Sequence, residues 1–369
     1  MIEKIEIKIN KIKRKIDPRI VKVVIFMLFG ALIIFSLEMT NNFKREKNSV
    51  QDEYNRAMYL AVSYVNNVQV DLEKVMVTST PSMNAITFAD IWKQSNLAKE
   101  SLGGFAEVSK SFQRYEGLIY DGAFSDHILN VEPKNIDEKE YSQEDAKKYI
   151  KKIFEKENIK EVKEKGESKG RLDLYSFEVS FSDKKEVLSL SITKKGCKLY
   201  LMVGDKNVKE EKLSIDDAKK RGIEFLEKLG ITNMKDTYYQ KSEKIAVINY
   251  AAVQDGVVLY PDLIKVKVAL DDGMILGVES QGYLFNHIKR DNLKPIQTEE
   301  KAKSVINKSV EILSSDIALI PTEYNTEILT YEFKGRIDNR DFLIYINANT
   351  LKEEKVLLVI DSKNGILTM

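Results

Sequence analysis

Three stretches of the chain echo one another: YSQEDAKKYIKKIF at 141–154, LSIDDAKKRGIEFL at 213–226 and IQTEEKAKSVINKS at 296–309. Ser142, Ser214 and Thr298 align, as do Ala146, Ala218 and Ala302, and Lys147, Lys219 and Lys303. A hydroxyl residue followed by acids is a helix start. Its oxygen accepts a backbone N–H that no helical carbonyl reaches, and the acids meet the positive end of the helix dipole. Ser142, Ser214 and Thr298 are therefore expected as N-caps. Asp145 and Asp217 stand at capping-box spacing after the first two caps, whereas Lys301 stands there in the third, which is expected to be weaker.

Outward from each helix the pattern changes to alternation. The first copy continues with LYSFEVSF, EVLSLSIT and CKLYLMVG, the second with KIAVINYAAV, LIKVKVAL and MILGVES, the third with TEILTYEF, DFLIYINA and EEKVLLVI. Turn pairs Asp255-Gly256, Asp272-Gly273 and Asp338-Asn339 punctuate them. Period-two alternation with such turns predicts antiparallel strands, each with one buried face. The expected fold is α+β, with three repeats at 141–205, 212–285 and 296–369. Each is a helix laid on a three- or four-stranded antiparallel sheet, and the units pack on one another because a lone unit is marginal. The charged run from Lys147 to Gly170 reads as a solvated helix face and loop, with Ile150, Ile153 and Phe154 turned inward.

Upstream, Val50, Tyr54, Ala57, Ala61, Tyr64, Val68, Leu72 and Val75 recur at near-heptad spacing. A second helical pattern runs through Phe88, Ile91, Trp92, Ser95, Ala98 and Leu102, after Pro81 and before Gly103-Gly104. The two predict a helical hairpin over 45–105, with Trp92 as its core anchor. Its seam serves either the hairpin itself or a partner helix, self-association included. Residues 20–39 are apolar from Val23 to Leu37, the length and character of a spanning helix. Lys4, Lys8, Lys11, Lys13, Arg14, Lys15 and Arg19 crowd the tail 1–19. That basic excess predicts a cytoplasmic N-terminus and an extracytoplasmic remainder.

Composition excludes several classes. The 369 residues carry a net charge of +1, with 58 basic and 57 acidic side chains, which argues against a nucleic-acid protein. One cysteine, Cys197, permits no intramolecular disulfide and reads as a small half-buried hydrophobe. The linker 112–140 contains YEGLIYDGAFSDHI at 115–128. Its Ser125, Asp126 and His127 are consecutive, so they cannot form a triad, which is assembled from distant segments. Asp121, Asp126 and His127 lack the spacing of zinc or calcium loops. The expectation is a shaped turn, with Asp121-Gly122 turning above Tyr120 and Phe124. No catalytic, cofactor or metal site is expected, and the second histidine, His287, sits in GYLFNHI, which resembles the first motif.

The cap-acid-Ala-Lys helix followed by a meander resembles the PepSY module. LIYDGAFSDHI ahead of the first repeat, VTSTPSMNAITFADIWKQSNLAKESLG and the single anchor together resemble the YpeB family of germination proteins from endospore-forming bacteria. The resemblance runs through essentially the whole chain and places Tyr120, Asp121, Gly122, Phe124, Ser125, Asp126 and His127 on the family motif. It implies a non-catalytic, membrane-anchored protein of the inner spore membrane that binds, localises and stabilises a SleB-type spore cortex-lytic enzyme. The chain departs from the family pattern in its shorter helical region before the repeats, which bears on how much of that partner contact it keeps. The rival expectation is a PepSY-type extracytoplasmic protease inhibitor or signal-sensing module.

Overall fold

The computed structural model describes residues 57–103, 124, 132–322, 324, 326–362 and 365–368. The tail 1–19 and the anchor 20–39 lie outside them. Among the described residues no helix is long and apolar enough to cross a membrane. The chain divides into two compact units, 1–68 with 92–118 and 69–91 with 119–369. Helices α1 (57–75) and α2 (Pro81–Gly103) contribute residues to both.

In the first unit the hairpin seam is built from small residues and amides. Ala61 and Ala98 are buried, and Asn67 donates from Nδ2 to Gln94 Oε1 at 3.4 Å. Small residues let two backbones approach, and an indole has no place between them. Trp92 accordingly lies on the outside, 72% exposed, which corrects its expected role as core anchor. In the second unit Phe88 is exposed as well, and so is Leu72, while its neighbour Asp71 is buried. The Asp71 carboxylate is held by Lys74 at 3.1 Å.

In the second unit the helix caps repeat with the sequence. Ser142 caps α3 (Gln143–Ile153) and Ser214 caps α4 (Ile215–Lys228), each with a complete capping box to Asp145 or Asp217. Hydrogen bonds from Ser142 and Ser214 hold both carboxyls below the usual range. A short helix, α5 (Gln281–Asn286), follows the second repeat. Thr298 caps α6 (Glu299–Ser304) by accepting from Lys301 N, and that helix has only 6 residues. Ala146, Ala218 and Ala302 are completely buried, since the aligned position is where each helix touches its sheet. Lys147 reaches Glu164 and Lys219 reaches Asp236, so the aligned lysine ties helix to first strand in two copies.

The first module pairs β1 (Ile159–Ser168), β2 (Leu174–Phe181), β3 (Val187–Thr193) and β4 (Leu199–Gly204). The second has β5 (Met234–Ser242), β6 (Ile245–Gln254), β7 (Val257–Ala269) and β8 (Ile275–Glu279). The third has β9 (Glu311–Pro321), β10 (Glu327–Ile337), β11 (Arg340–Asn347), β12 (Glu353–Ser362) and β13 (Gly365–Thr368). Asp255, Asp338 and Asn339 have positive φ at the tight turns, as the turn pairs require. Strand β1 corrects the reading of Lys147–Gly170 as helix face and loop. Its Lys/Glu alternation pairs with β2 while most of its side chains stay in water.

The modules merge into one 13-stranded sheet in the order β1-β2-β3-β4-β8-β7-β6-β5-β13-β12-β11-β10-β9. Antiparallel β4–β8 and β5–β13 pairings join neighbours. A parallel pairing of Val258 and Leu259 with Ala318 and Leu319 returns β9 to β7. The strands from β7 round to β9 thereby close a ring. Helices cover its outside: one core joins the helix faces of the first two modules, and a second lies beneath α6. The faces turned away from the helices meet inside, where Tyr260, Leu263, Ile320, Tyr345 and Leu357 form a third core.

Candidate functional site

Of the motif residues Tyr120, Asp121, Gly122, Phe124, Ser125, Asp126 and His127, only Phe124 lies among the described residues. It is 4% exposed and belongs to the inner core of the ring. Its ring lies 4.8 Å from that of Tyr260 and 5.4 Å, edge-on, from that of Tyr345. The Lys355 ammonium stands 4.8 Å above it. Tilted and edge-on rings with a cation over one face are favourable contacts beyond area burial. Phe124 is thus a plug in a socket contributed by β7, β11 and β12.

The socket has a polar side. Glu332 on β10 has a buried Oε2 with no hydrogen-bond partner, as does the Tyr345 hydroxyl. Burial raises the Glu332 carboxyl above the usual range, while the facing Tyr260 and Tyr345 hydroxyls pull the other way. Burial likewise holds both phenols well above theirs.

A second cluster joins α5, β7 and β10. Asp262 accepts two bonds of 2.7 Å from Arg290 and one of 2.7 Å from His287 Nδ1. Arg290 also grips Glu327 through Nε at 2.8 Å and Nη2 at 2.6 Å. Tyr283 stacks on His287 at 4.3 Å. Asn286 donates to the Pro261 carbonyl at 3.0 Å, and the Gln254 side-chain amide donates to the Arg290 carbonyl and accepts from the Arg290 N–H. An aspartate beside a histidine is half of a proton-transfer constellation. Here the carboxylate is saturated by a guanidinium, so the geometry is that of a clamp between second and third modules. Sequence reading missed this cluster, because Asp262, Arg290 and Glu327 come from separate elements and no spacing connects them.

The hairpin base is also fixed. Glu353 Oε2 on β12 accepts from Ser79 N at 3.1 Å, Thr80 N at 3.2 Å and Thr80 Oγ1 at 3.1 Å. These groups lie just ahead of α2, which starts with Pro81 and is capped by Thr80 Oγ1 accepting from Met83 N at 3.3 Å. Arg340 pairs with Glu73 at 2.7 Å, and Val77 is buried in the third-module core.

Two surfaces complete the inventory. A groove of about 200 Å³ opens between α3 and α4, with Phe154, Phe181 and Phe225 beneath it. The open edge of the sheet is β1, which carries alternating lysine and glutamate and two register shifts. Charges and bulges on an edge discourage a further strand. Cys197 lies at a turn with φ of 49°, and burial pushes its thiol up to about 11, the behaviour of an inert thiol. Among the described residues no cluster of metal-ligating side chains forms.

Comparison with known proteins gives a consistent family. A model described as YpeB sporulation, PepSY1 and PepSY2 domains matches residues 101–293, and one described as YpeB N-terminal matches residues 43–156. The sporulation protein YpeB of Bacillus subtilis (strain 168) is 36% identical over 220 residues, covering 59% of this chain and 49% of that protein. Its counterpart in Halalkalibacterium halodurans is 32% identical over 234 residues, covering 63% and 52%. The chain therefore spans about half the length of the curated relatives it matches. The solved Bacillus megaterium YpeB C-terminal domain superposes with a TM-score of 0.54 at 28% identity, covering 60% of this chain and 100% of that domain. With a family model covering more than half of its residues, the chain belongs to the YpeB family of sporulation proteins.

Proposed function

We propose that this protein acts in germination as a non-catalytic, membrane-anchored partner that binds, localises and stabilises a SleB-type spore cortex-lytic enzyme. The observation that carries the reading is the hairpin. Its base is locked to the third module through Glu353 and Arg340, yet Ile86 and Phe88 on α2 keep apolar surface in water. Exposed apolar side chains are what a protein partner recognises. Strand addition at β1 is disfavoured by its charges, so contact by helix faces and the α3–α4 groove is the mode this fold offers. The uncleaved anchor at 20–39, with an extracytoplasmic remainder, is part of the same proposal.

Deletion of the gene is expected to deplete the lytic enzyme from dormant spores, and tagged protein is expected to co-purify with it. Normal levels of the enzyme in the deletion strain overturn the reading. Inhibition of extracytoplasmic proteases by the purified protein, without capture of the enzyme, supports the protease-inhibitor alternative instead.

A further inference from the structure

Helix α1 carries two seams. Ala57, Ala61, Tyr64, Val68, Asp71 and Val75 recur at spacings of four and three, and Ala61 and Asp71 among them are buried. A second series, Met58, Val62, Val65, Gln69, Leu72 and Met76, recurs at the same spacing one residue later. The apolar members of this series each leave 42% to 55% of their surface in water. Alternating steps of four and three are the a/d pattern of a coiled coil, which accepts another helix and little else.

The rest of the helix agrees. From Ala57 to Val70 there is no charged side chain on any face. A helix without a charged outer face is one whose faces are covered.

We infer that this second seam pairs with the same seam of a second copy of the chain, in parallel and in register. Three observations select that occupant. First, Gln69 is the one polar residue of the series, and it donates to Glu73 Oε1 at 3.2 Å, leaving its own carbonyl oxygen and one N–H available. Against an apolar partner these groups are buried unpaired, whereas Gln69 of a second copy satisfies both. A polar residue at one such position fixes register in this way. Second, of the flanking positions Tyr59, Ala61, Asn66, Val68, Glu73 and Val75 only Glu73 is charged, and Arg340 pairs with it at 2.7 Å. Two identical seams meet there without repulsion, and a charged partner helix finds no complement. Third, the exposed apolar surface of the series is on the order of 400 Å² per copy, which with the flanking side chains approaches the roughly 1,000 Å² total of a specific interface.

The test uses the full chain in mild detergent, with Cys197→Ser removing the native thiol. Gln69→Cys is expected to give a disulfide-linked dimer on mild oxidation, while Lys99→Cys on α2 is not. Val65→Glu with Leu72→Glu is expected to weaken dimerisation at least about tenfold by sedimentation, since it buries charge at the seam. The melting of the sheet modules is expected to stay unchanged in that variant. A monomeric full chain, equal cross-linking at 69 and 99, or a dimer indifferent to the two glutamates overturns the inference. None of these readouts involves the cortex-lytic enzyme, so this inference and the proposed function stand or fall separately.

Discussion

Arg290 holds Asp262 through two parallel hydrogen bonds, Nη1 to Oδ2 and Nη2 to Oδ1, each 2.7 Å, where Asp262 has no exposed surface. The planar fork matches a carboxylate as an ammonium does not. Because Glu327 of the third module takes the other edge of the guanidinium, one residue clamps two modules. Arg290→Ala leaves a buried carboxylate with only His287 beside it, and a loss of about 3–5 kcal/mol is expected. Arg290→Lys is expected to recover less than half, by denaturant unfolding. A loss near zero in Arg290→Ala removes the clamp from the account.

Phe124 tests whether the linker motif is structural. Truncation to alanine empties the socket between Tyr260 and Tyr345 and removes the ring beneath Lys355. An aromatic-to-alanine change in a packed core costs about 3–5 kcal/mol. Phe124→Leu fills most of the space and is expected to cost less than half of that. Equal and small losses in both variants mean that the plug contributes little to the ring.

Glu332 gives the ring a pH dependence with a definite sign. Its carboxyl is raised in the folded chain by burial, so the folded state binds this proton more tightly than the unfolded state. Stability therefore falls as pH rises from the unfolded value of about 4.3 through the raised folded value, and is flat beyond. Glu332→Gln cannot ionise. It is expected to be more stable than the parent at pH 8, with the advantage shrinking toward pH 4. An advantage independent of pH points to packing rather than charge.

The repeats, caps and most strands were legible because their causes are local. A hydroxyl before acids caps a helix wherever it sits, and alternating side chains face alternate sides of a sheet. Strand β1 was hidden because its Lys/Glu alternation has no apolar face to report; its pairing with β2 supplies what its side chains do not. Trp92 misled for the opposite reason: size argues for burial, but Ala61 and Ala98 bring the helices too close for an indole. Closure of the ring and the Asp262–Arg290–Glu327 clamp depend on elements distant in sequence, which no window along the chain contains. The turn expected above Phe124 lies outside the described residues, and the partners of Phe124 on β7, β11 and β12 belong to later modules that no local window reaches.

Gly222 in α4 shows how tightly helix and sheet meet in the second module. Tyr250 is buried on β6, and its hydroxyl donates to the Lys219 carbonyl at 2.8 Å, passing the helix at Gly222. A Cβ at that position falls 2.1 Å from the hydroxyl oxygen and 2.7 Å from Cζ. Gly222→Ala gains helix propensity, but it must push the ring aside and break that bond. A net loss of about 1–3 kcal/mol is expected. Tyr250→Phe in the same chain removes the nearest atom and leaves the ring carbons close, so the double variant is expected to show partial rescue. The coupling between the two changes is then at least about 0.5 kcal/mol in a double-mutant cycle. Strict additivity means that the helix yields at Gly222 without displacing Tyr250, and the glycine is then no packing requirement.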